Sequence, residues 1–287
     1  MFADEGADSA RGFFGGFERI YSFFASDDSR FRARLVAASD GVVSFHPFRP
    51  GGDGHVATGY LRTIGEADSL IEPRIEPTAD DLAGAARLLE KSKCDTPNLI
   101  VIFPGSGSPG KNWPADKFAA LASMVARRGA HPSYEVPHPT LADERRPLPI
   151  QGEGKTALDS EGLSPPIQEE GKSCVVVLGP AEVALESMFR DSGVPVLTDL
   201  DLPIVAAIAR LASAFVGNDS GVSHLAAAAG ASGVVLFGPT DPLRWRPLCA
   251  RGRIEVFRRE PIDSIEVRDV AAALSKICGP ASKIIHW

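Results

Sequence analysis

From residue 98 onward, short runs of consecutive apolar residues alternate with amphipathic stretches. The apolar runs predict buried strands at 98–103, 173–178, 194–197, 214–217, 233–237 and 254–257. Apolar residues at helical spacing predict helices at 114–128, 181–190, 202–213, 221–229 and 267–277. Strands that alternate with helices in this way indicate an α/β fold with a parallel sheet covered on both faces.

The first 77 residues show the same alternation over a shorter length. They predict strands at 17–24 and 42–48 and helices at 31–38 and 55–64, a region that would bury little core alone. Residues 66–77 are charged and contain proline, which indicates a linker. Thr78 is a plausible N-cap for a helix that runs to Lys93. We therefore expect a partial N-terminal domain over 1–77 and a second Rossmann-like domain over 78–287.

The segment 131–172 breaks the pattern, because it is rich in proline, glycine and glutamate. It contains a near-repeat, PLPIQGEGK and SPPIQEEGK, identical at six of nine positions. A loop of this length between a helix and a strand is uncommon in a compact domain. We interpret it as a disordered insertion, with a lid or partner-binding loop as the alternative.

The composition of the chain argues against several classes of function. The chain has 287 residues, 44% of them hydrophobic, and a net charge of −7, which argues against a general binder of nucleic acid or anionic membranes. It has no run of 18 apolar residues and no signal-peptide pattern at its start. The four cysteines form no CxxC pair, so neither a zinc site nor a disulfide framework is indicated, and a reducing cytoplasm is expected.

The first candidate site is the loop PGSGSPGKNWP, which directly follows the predicted strand at 98–103. Gly105 allows a close approach of the backbone to a ligand, Ser106 follows it, and Lys111 adds a positive charge. A strand, a glycine-rich loop, a lysine and a helix together form a phosphate cradle. The loop nearly matches a P-loop, but Asn112 stands where that motif has the hydroxyl that holds Mg²⁺. We expect Trp113 to be a packing residue.

The second candidate site is VGNDSGVSHLAAAAG, in which a strand leads into a helix. Asp219 or Ser220 can cap that helix, and the amides of Ser220 and Gly221 would face the carboxyl edge of the sheet, where a diphosphate would be stabilised. His224 lies one turn into the helix. It is as compatible with a structural histidine as with a ligand contact.

Two further loops follow predicted strands. In LGPAEVALE, Glu182 could accept hydrogen bonds from ribose hydroxyls or simply favour the helix dipole. In LFGPTDPLRWRP, Thr240 and Asp241 could cap a helix or contact a ligand, and Arg244 and Arg246 could pair with an anion.

Together, PGSGSPGKNWPADKFAALA, GNDSGVSHLAAAAG and LFGPTDPLRWRP resemble glycosyltransferase family 9, the ADP-heptose:lipopolysaccharide heptosyltransferases. The resemblance implies a GT-B architecture, two Rossmann-like domains with the active site between them. It implies a cytoplasmic bacterial enzyme, at most peripheral at the inner membrane, that transfers heptose or a related sugar from an ADP-sugar to a lipopolysaccharide-core acceptor. Transfer would be inverting and would need no metal or other cofactor.

The resemblance also assigns site residues by position. The donor-binding set is Gly105, Ser106, Lys111, Glu182, Asp219, Ser220, Gly221 and His224. Lys111 resembles the lysine that contacts the donor diphosphate or sugar, and Glu182 the acidic residue near the ribose. The first strand and the glycine-rich loop that carries the catalytic aspartate in the family have no counterpart here, so no catalytic residue is assigned. We therefore expect a formed donor half, an incomplete N-terminal domain with exposed apolar surface, and weak or absent turnover.

Two other interpretations stay open. A P-loop NTPase would need Mg²⁺ and a Walker B aspartate, for which Asp219 is the available residue, but Asn112 disfavours it. A non-catalytic nucleotide-binding protein derived from such an enzyme would explain both the missing motif and the insertion.

Overall fold

The computed structural model describes residues 7–66, 72–94, 96–127 and 173–279. Its N-terminal unit consists of five short elements around a small parallel sheet. They are α1 (Ala7–Phe14), β1 (Arg19–Ser22), α2 (Ser29–Ala37), β2 (Val42–Phe45) and α3 (Val56–Thr63). Strands β1 and β2 pair in parallel, with Arg19 opposite Val42. The two predicted strands and two predicted helices of this region are thereby confirmed, while α1 was not predicted.

The second unit is built on a six-stranded sheet whose paired strands are all parallel. Its elements are α4 (Ala79–Lys91), β3 (Ile100–Phe103), α5 (Ala115–Arg127), β4 (Cys174–Leu178), α6 (Glu186–Asp191), β5 (Val196–Thr198), α7 (Leu202–Leu211), β6 (Ala214–Asn218), α8 (Gly221–Ala228), β7 (Gly233–Phe237), α9 (Pro242–Trp245), β8 (Ile254–Arg258) and α10 (Val267–Cys278). The strand order is β5-β4-β3-β6-β7-β8. The direction of winding therefore reverses between β3 and β6, the place where α/β sheets bind ligands.

Apolar layers cover both faces of this sheet. Alternate residues of β3 illustrate the arrangement, since Ile100 and Ile102 face one layer and Val101 and Phe103 face the other. Helices α5, α6 and α10 complete the first layer, and α4, α7 and α8 complete the second. The predicted parallel α/β sheet is thus confirmed, and each predicted strand lies within two residues of its observed bounds.

One predicted helix has a different form. Residues 181–190 were expected to be a single helix, but a 3-10 helix (Pro180–Leu185) precedes α6. The side chain of Glu182 folds back and accepts a hydrogen bond from the amide of Gly179 at 3.1 Å. This contact tightens the first turn and keeps the carboxylate at the end of β4.

The N-terminal unit is attached to the six-stranded unit by polar contacts from the loop around α9. The guanidinium of Arg244 donates to the carbonyls of Gly52 (2.7 Å) and Pro50 (2.5 Å). His55 Nε2 lies 2.8 Å from the carbonyl oxygen of Arg246. Arg244, which the sequence left as a possible anion partner, is therefore committed to backbone carbonyls of the other unit.

Three predictions concern the edges of the units. Thr78 caps α4 as expected and forms a reciprocal capping box with Asp81. Phe13, Phe24 and Phe48 of the N-terminal unit are more than 60% exposed, so the expected exposed apolar surface is present. The predicted disordered insertion at 131–172 lies outside the described residues, and so does part of the predicted linker, 67–71.

Candidate functional site

The loop that follows β3 and the loop that follows β6 meet because these two strands are neighbours in the sheet. Phe103 at the end of β3 pairs with Gly217 of β6, so both loops leave the same edge of the sheet. The side chain of Asn218 joins them. Its oxygen accepts from the amide of Trp113 at 2.9 Å, and its nitrogen donates to the carbonyl of Pro104 at 2.7 Å. Because Asn218 is fully buried, these bonds fix the relative position of the loops.

The charged centre of the site is an ion pair between Lys111 and Asp219. Lys111 Nζ lies 2.7 Å from Asp219 Oδ2, and the hydroxyl of Thr240 donates to the same oxygen at 2.8 Å. The side chain of Asp219 is 5% exposed and that of Lys111 is 31% exposed. The carboxylate is thus a buried anchor that holds the ammonium at the surface of the loop, where an anion could reach it.

Glu182 packs directly on Gly105. A Cβ atom at position 105 would lie 2.2 Å from Glu182 Cδ, a distance that only glycine avoids. Beside it, Ser106 has its hydroxyl turned into its own loop, donating to the carbonyl of Ser108 at 2.8 Å. The glycine loop therefore leaves room for a carboxylate at the end of β4.

A cavity of about 290 Å³, the first cavity, opens between these groups. Its walls come from the ends of β3 and β4, the glycine loop, the segment leading into α7 and the start of α8. The lining residues that matter here are Phe103, Gly105, Glu182, Leu200, Val205 and Gly221. It combines apolar walls with one carboxylate and the amide groups of a helix start, a composition typical of small-molecule sites.

Helix α8 points its N-terminus at the mouth of this cavity. Ser220 is the N-cap and makes no side-chain cap bond to the helix amides. The amides of Gly221 and Val222 lie in the first turn, where a helix provides no intrahelical acceptor for them. Both residues line the first cavity. An anion at this position would receive backbone hydrogen bonds and the favourable end of the helix dipole.

His224 projects from the next turn of α8 into a different space, the second cavity. This cavity has a volume of about 360 Å³ and lies between α3 and α8. Burial lowers the pKa of His224 below its ordinary value, and so do the charges of His55 and Lys111, while Asp219 and a hydrogen bond with the Trp245 backbone act in the opposite direction. The net lowering of the pKa favours the neutral form of the imidazole.

The structure brings the predicted donor-binding residues to one edge of the sheet. Gly105, Ser106, Glu182, Ser220 and Gly221 line the first cavity. The ion pair of Lys111 and Asp219 lies beside them, and His224 faces the second cavity. Trp113 is 1% exposed and packs edge-on against Phe118, so its prediction as a packing residue is confirmed.

Sequence reasoning missed the role of Asn218 and left that of Thr240 open. Asn218 sits at the end of an apolar strand, where a buried amide needs partners from another segment. A polar residue at the end of an apolar strand was therefore the sequence signal that could have indicated this contact. Thr240 had been noted as a cap or ligand contact, but its bond to Asp219 depends on the pairing of β6 with β7.

Among the described residues of the N-terminal unit, no carboxylate lines either cavity. Asp8 and Asp27 are exposed, and neither lines the first or the second cavity. Asp4 lies outside the described residues. Within the described ranges no group of three or more histidine, cysteine, aspartate or glutamate side chains is placed to hold a metal ion.

Residues 166–268 match the model of glycosyltransferase family 9 (heptosyltransferase). No curated protein matches the sequence. Three solved structures are similar in fold. A family 9 glycosyl transferase from Veillonella parvula DSM 2008 is 17% identical, with a TM-score of 0.65 over 96% of this chain and 77% of the other. E. coli ADP-heptose lps heptosyltransferase II is 15% identical, with a TM-score of 0.61 over 96% of this chain and 80% of the other. E. coli heptosyltransferase WaaC with ADP is also 15% identical, with a TM-score of 0.60 over 96% of this chain and 79% of the other.

These matches confirm the resemblance to glycosyltransferase family 9 that the sequence motifs indicated. At such low identity the solved structures show the fold, and the family model independently covers β4 to the start of α10. Residues 166–268 are therefore similar to glycosyltransferase family 9 (heptosyltransferase), and the chain has the α/β, GT-B-like fold of the similar solved structures.

Proposed function

We propose that this protein is a glycosyltransferase that uses a nucleoside diphosphate sugar, an ADP-sugar carrying heptose, as its donor. The observation that carries the proposal is that the glycine loop, the carboxylate of Glu182 and the first residues of α8 line one cavity, while the ion pair of Lys111 and Asp219 joins the same two loops. A nucleoside fits the apolar walls, and the diphosphate fits the amides and the ammonium.

Five of the eight predicted residues have a direct role in this arrangement. Glu182, at the end of β4, would accept hydrogen bonds from the ribose hydroxyls. The amides of Gly105, Ser106 and Gly221 would contact the phosphates. Lys111 would stabilise the negative charge that develops on the leaving ADP, which is the electrostatic task of such a site. This charge compensation needs no metal or other cofactor, so we expect metal-independent, inverting transfer.

The acceptor class follows from the comparisons rather than from the cavity. Two of the similar structures are described as heptosyltransferases, one of them for lipopolysaccharide and one with bound ADP. We therefore propose a lipid-linked saccharide of the lipopolysaccharide core as acceptor. In the described parts of the chain, every helix is too short or too polar to cross a bilayer. We propose that the protein acts in the cytoplasm, at most peripherally at the inner face of the inner membrane.

An NTPase is the weaker alternative. Asn112, which replaces the Mg²⁺-binding hydroxyl of a P-loop, accepts a hydrogen bond through its side-chain oxygen from Asn218 Nδ2 at 3.4 Å and so faces the buried loop contact. Asp219, the candidate Walker B residue, is already occupied by Lys111 and Thr240. A non-catalytic nucleotide-binding protein is the second alternative, because the described N-terminal carboxylates lie away from both cavities.

The test is calorimetric titration with ADP, in EDTA, followed by a transfer assay with ADP-heptose and heptose-free lipopolysaccharide core. We expect ADP binding to persist in EDTA and to weaken about 10- to 100-fold in Lys111→Ala, since a charge-assisted hydrogen bond contributes about 1.5–3 kcal/mol. Lys117→Ala is the matched control, because Lys117 Nζ donates to the carbonyl of Ile265 and not to the loop.

Three outcomes separate the alternatives. Transfer of heptose supports the enzyme, and ADP binding without transfer supports the non-catalytic alternative. Binding that requires Mg²⁺, with release of phosphate from ATP, would refute both in favour of the NTPase.

A further inference from the structure

The loop between β7 and α9 brings one hydroxyl into the charged centre of the site. Thr240 lies in this loop, three residues beyond the end of β7, and its hydroxyl donates to Asp219 Oδ2 at 2.8 Å. Lys111 Nζ donates to the same oxygen at 2.7 Å. One carboxylate oxygen therefore accepts hydrogen bonds from two different loops, and the hydroxyl and the ammonium share its negative charge.

Asp219 has little contact with water that could replace a lost donor, because its side chain is 5% exposed. A buried carboxylate that loses a hydrogen bond incurs much of the desolvation cost of the oxygen concerned. Without the Thr240 hydroxyl, Lys111 would be the one donor left to this carboxylate among the described residues. Asp219 would then hold the ammonium of Lys111 more tightly.

The position of the Thr240 hydroxyl is supported on both sides along the chain. On one side, a Cβ added to Gly238 would lie 3.6 Å from the carbonyl oxygen of Gly110, so this loop lies against the backbone beside Lys111. On the other side, the Asp241 side chain caps α9 through a hydrogen bond of 3.0 Å. The hydroxyl is therefore presented to Asp219 by a segment that is held at both ends.

We propose that Thr240 is a positioning residue of the donor site, which determines through Asp219 how freely Lys111 can turn to a diphosphate. This proposal rests on the proposed function, because it concerns the affinity of the same site for ADP. An ammonium has three N–H donors, and a phosphate must compete with Asp219 for them. Because the hydroxyl compensates part of the carboxylate charge, the ammonium turns towards a phosphate at a smaller cost in free energy.

The first experiment removes the hydroxyl and then restores it. Thr240→Val keeps the shape of the side chain without the hydroxyl, Thr240→Ala removes the hydroxyl without a branched replacement, and Thr240→Ser keeps it. In calorimetric titration with ADP in EDTA, we expect the Kd to rise about 3- to 10-fold in the valine and alanine variants. The serine variant should stay within about twofold of the wild type, because its hydroxyl can donate to the same carboxylate.

A double substitution tests whether Thr240 acts through Lys111. In a Lys111→Ala background, Thr240→Val should change the Kd for ADP by less than about twofold, because the ammonium that it influences is absent. If the full effect of Thr240→Val persists in that background, the hydroxyl acts on the nucleotide independently of Lys111. That result would overturn the proposed positioning role.

The matched control is Thr63→Val, the same exchange at a threonine of α3 that lines neither the first nor the second cavity. Its hydroxyl donates to the carbonyl of Gly59 at 2.7 Å, and we expect its Kd for ADP to equal that of the wild type. Thermal unfolding of each variant checks that the protein is folded.

The outcomes separate this proposal from the proposed function. A wild-type Kd in both Thr240→Val and Thr240→Ala, or a Thr240→Ser protein as weak as these two, would overturn the role of Thr240 and leave the ADP site intact. A wild-type protein that does not bind ADP would overturn the proposed function and this role together.

Discussion

Replacing Gly105 with alanine tests whether the carboxylate of Glu182 shapes the proposed nucleotide site in the first cavity. The new Cβ would lie 2.2 Å from both Cδ and Oε1 of Glu182 and 2.6 Å from its Cγ. Gly105 does not adopt the left-handed conformation, so alanine fits the backbone and the conflict concerns the side chain alone. Glu182 must therefore swing away from the loop.

The size of the effect follows from what Glu182 loses. Its 3.1 Å hydrogen bond from the Gly179 amide breaks, which in a buried setting would cost about 1.5–3 kcal/mol. Because Glu182 is only half-buried, water replaces part of that bond, and we expect a loss of about 1 kcal/mol in the free energy of unfolding. If the displaced carboxylate no longer meets the ribose, the Kd for ADP should rise about tenfold, equivalent to about 1.4 kcal/mol.

Gly107→Ala provides a matched control in the same loop. A Cβ at position 107 would meet no atom within 4 Å, so the same chemical change is made without the conflict. Calorimetric titration with ADP and thermal unfolding should show a tenfold weaker Kd and a lower Tm for Gly105→Ala. The Gly107→Ala protein should match the wild type in both measurements.

A double substitution identifies the cause. If Gly105→Ala acts by displacing Glu182, its effect on ADP binding should vanish in a Glu182→Ala background, because nothing is left to displace. Additive effects in the double variant, or equal effects of Gly105→Ala and Gly107→Ala, would refute the assignment of Glu182 to the nucleoside.

Two further substitutions test how the sheet supports the site. Gly233→Ala places a Cβ 2.4 Å from the ring of Phe215. We expect urea denaturation to show a free energy of unfolding lower by about 1–3 kcal/mol, and an unchanged midpoint would show that the core adapts. Asn218→Ala leaves the buried Trp113 amide and Pro104 carbonyl without their partner. We expect the free energy of unfolding to fall by about 2–4 kcal/mol and ADP binding to weaken, and lower stability with an unchanged Kd for ADP would show that Asn218 does not position the loops.

The sequence predicted local features of the site well, because those depend on short-range chemistry. The apolar run of β3 and the glycines behind it indicated a strand that leads into a ligand loop, and Thr78 with two acidic neighbours indicated a helix start. The 3-10 helix after β4 was not predicted, since its cause is a single contact from the Glu182 side chain to the backbone.

The pairing of Lys111 with Asp219 illustrates what the residue pattern alone could not provide. These residues are separated by 108 positions, and their contact depends on β3 lying next to β6 rather than next to β5 or β7. Strand order is a property of the whole sheet, because it is set by which helices pack on which face. The contact of Thr240 was hidden for the same reason, whereas those of Arg244 depend on how the N-terminal unit lies against the six-stranded unit.

The two cavities are built from different parts of this molecule. Every residue that lines the first cavity lies between Phe103 and Val222, within the six-stranded unit. The second cavity needs both units, since α3 forms one wall and His224 the other. Arg244 and His55 hold those walls together through hydrogen bonds to backbone carbonyls. A change that loosens this attachment should therefore alter the second cavity while leaving the affinity for ADP intact, which calorimetric titration with ADP would check.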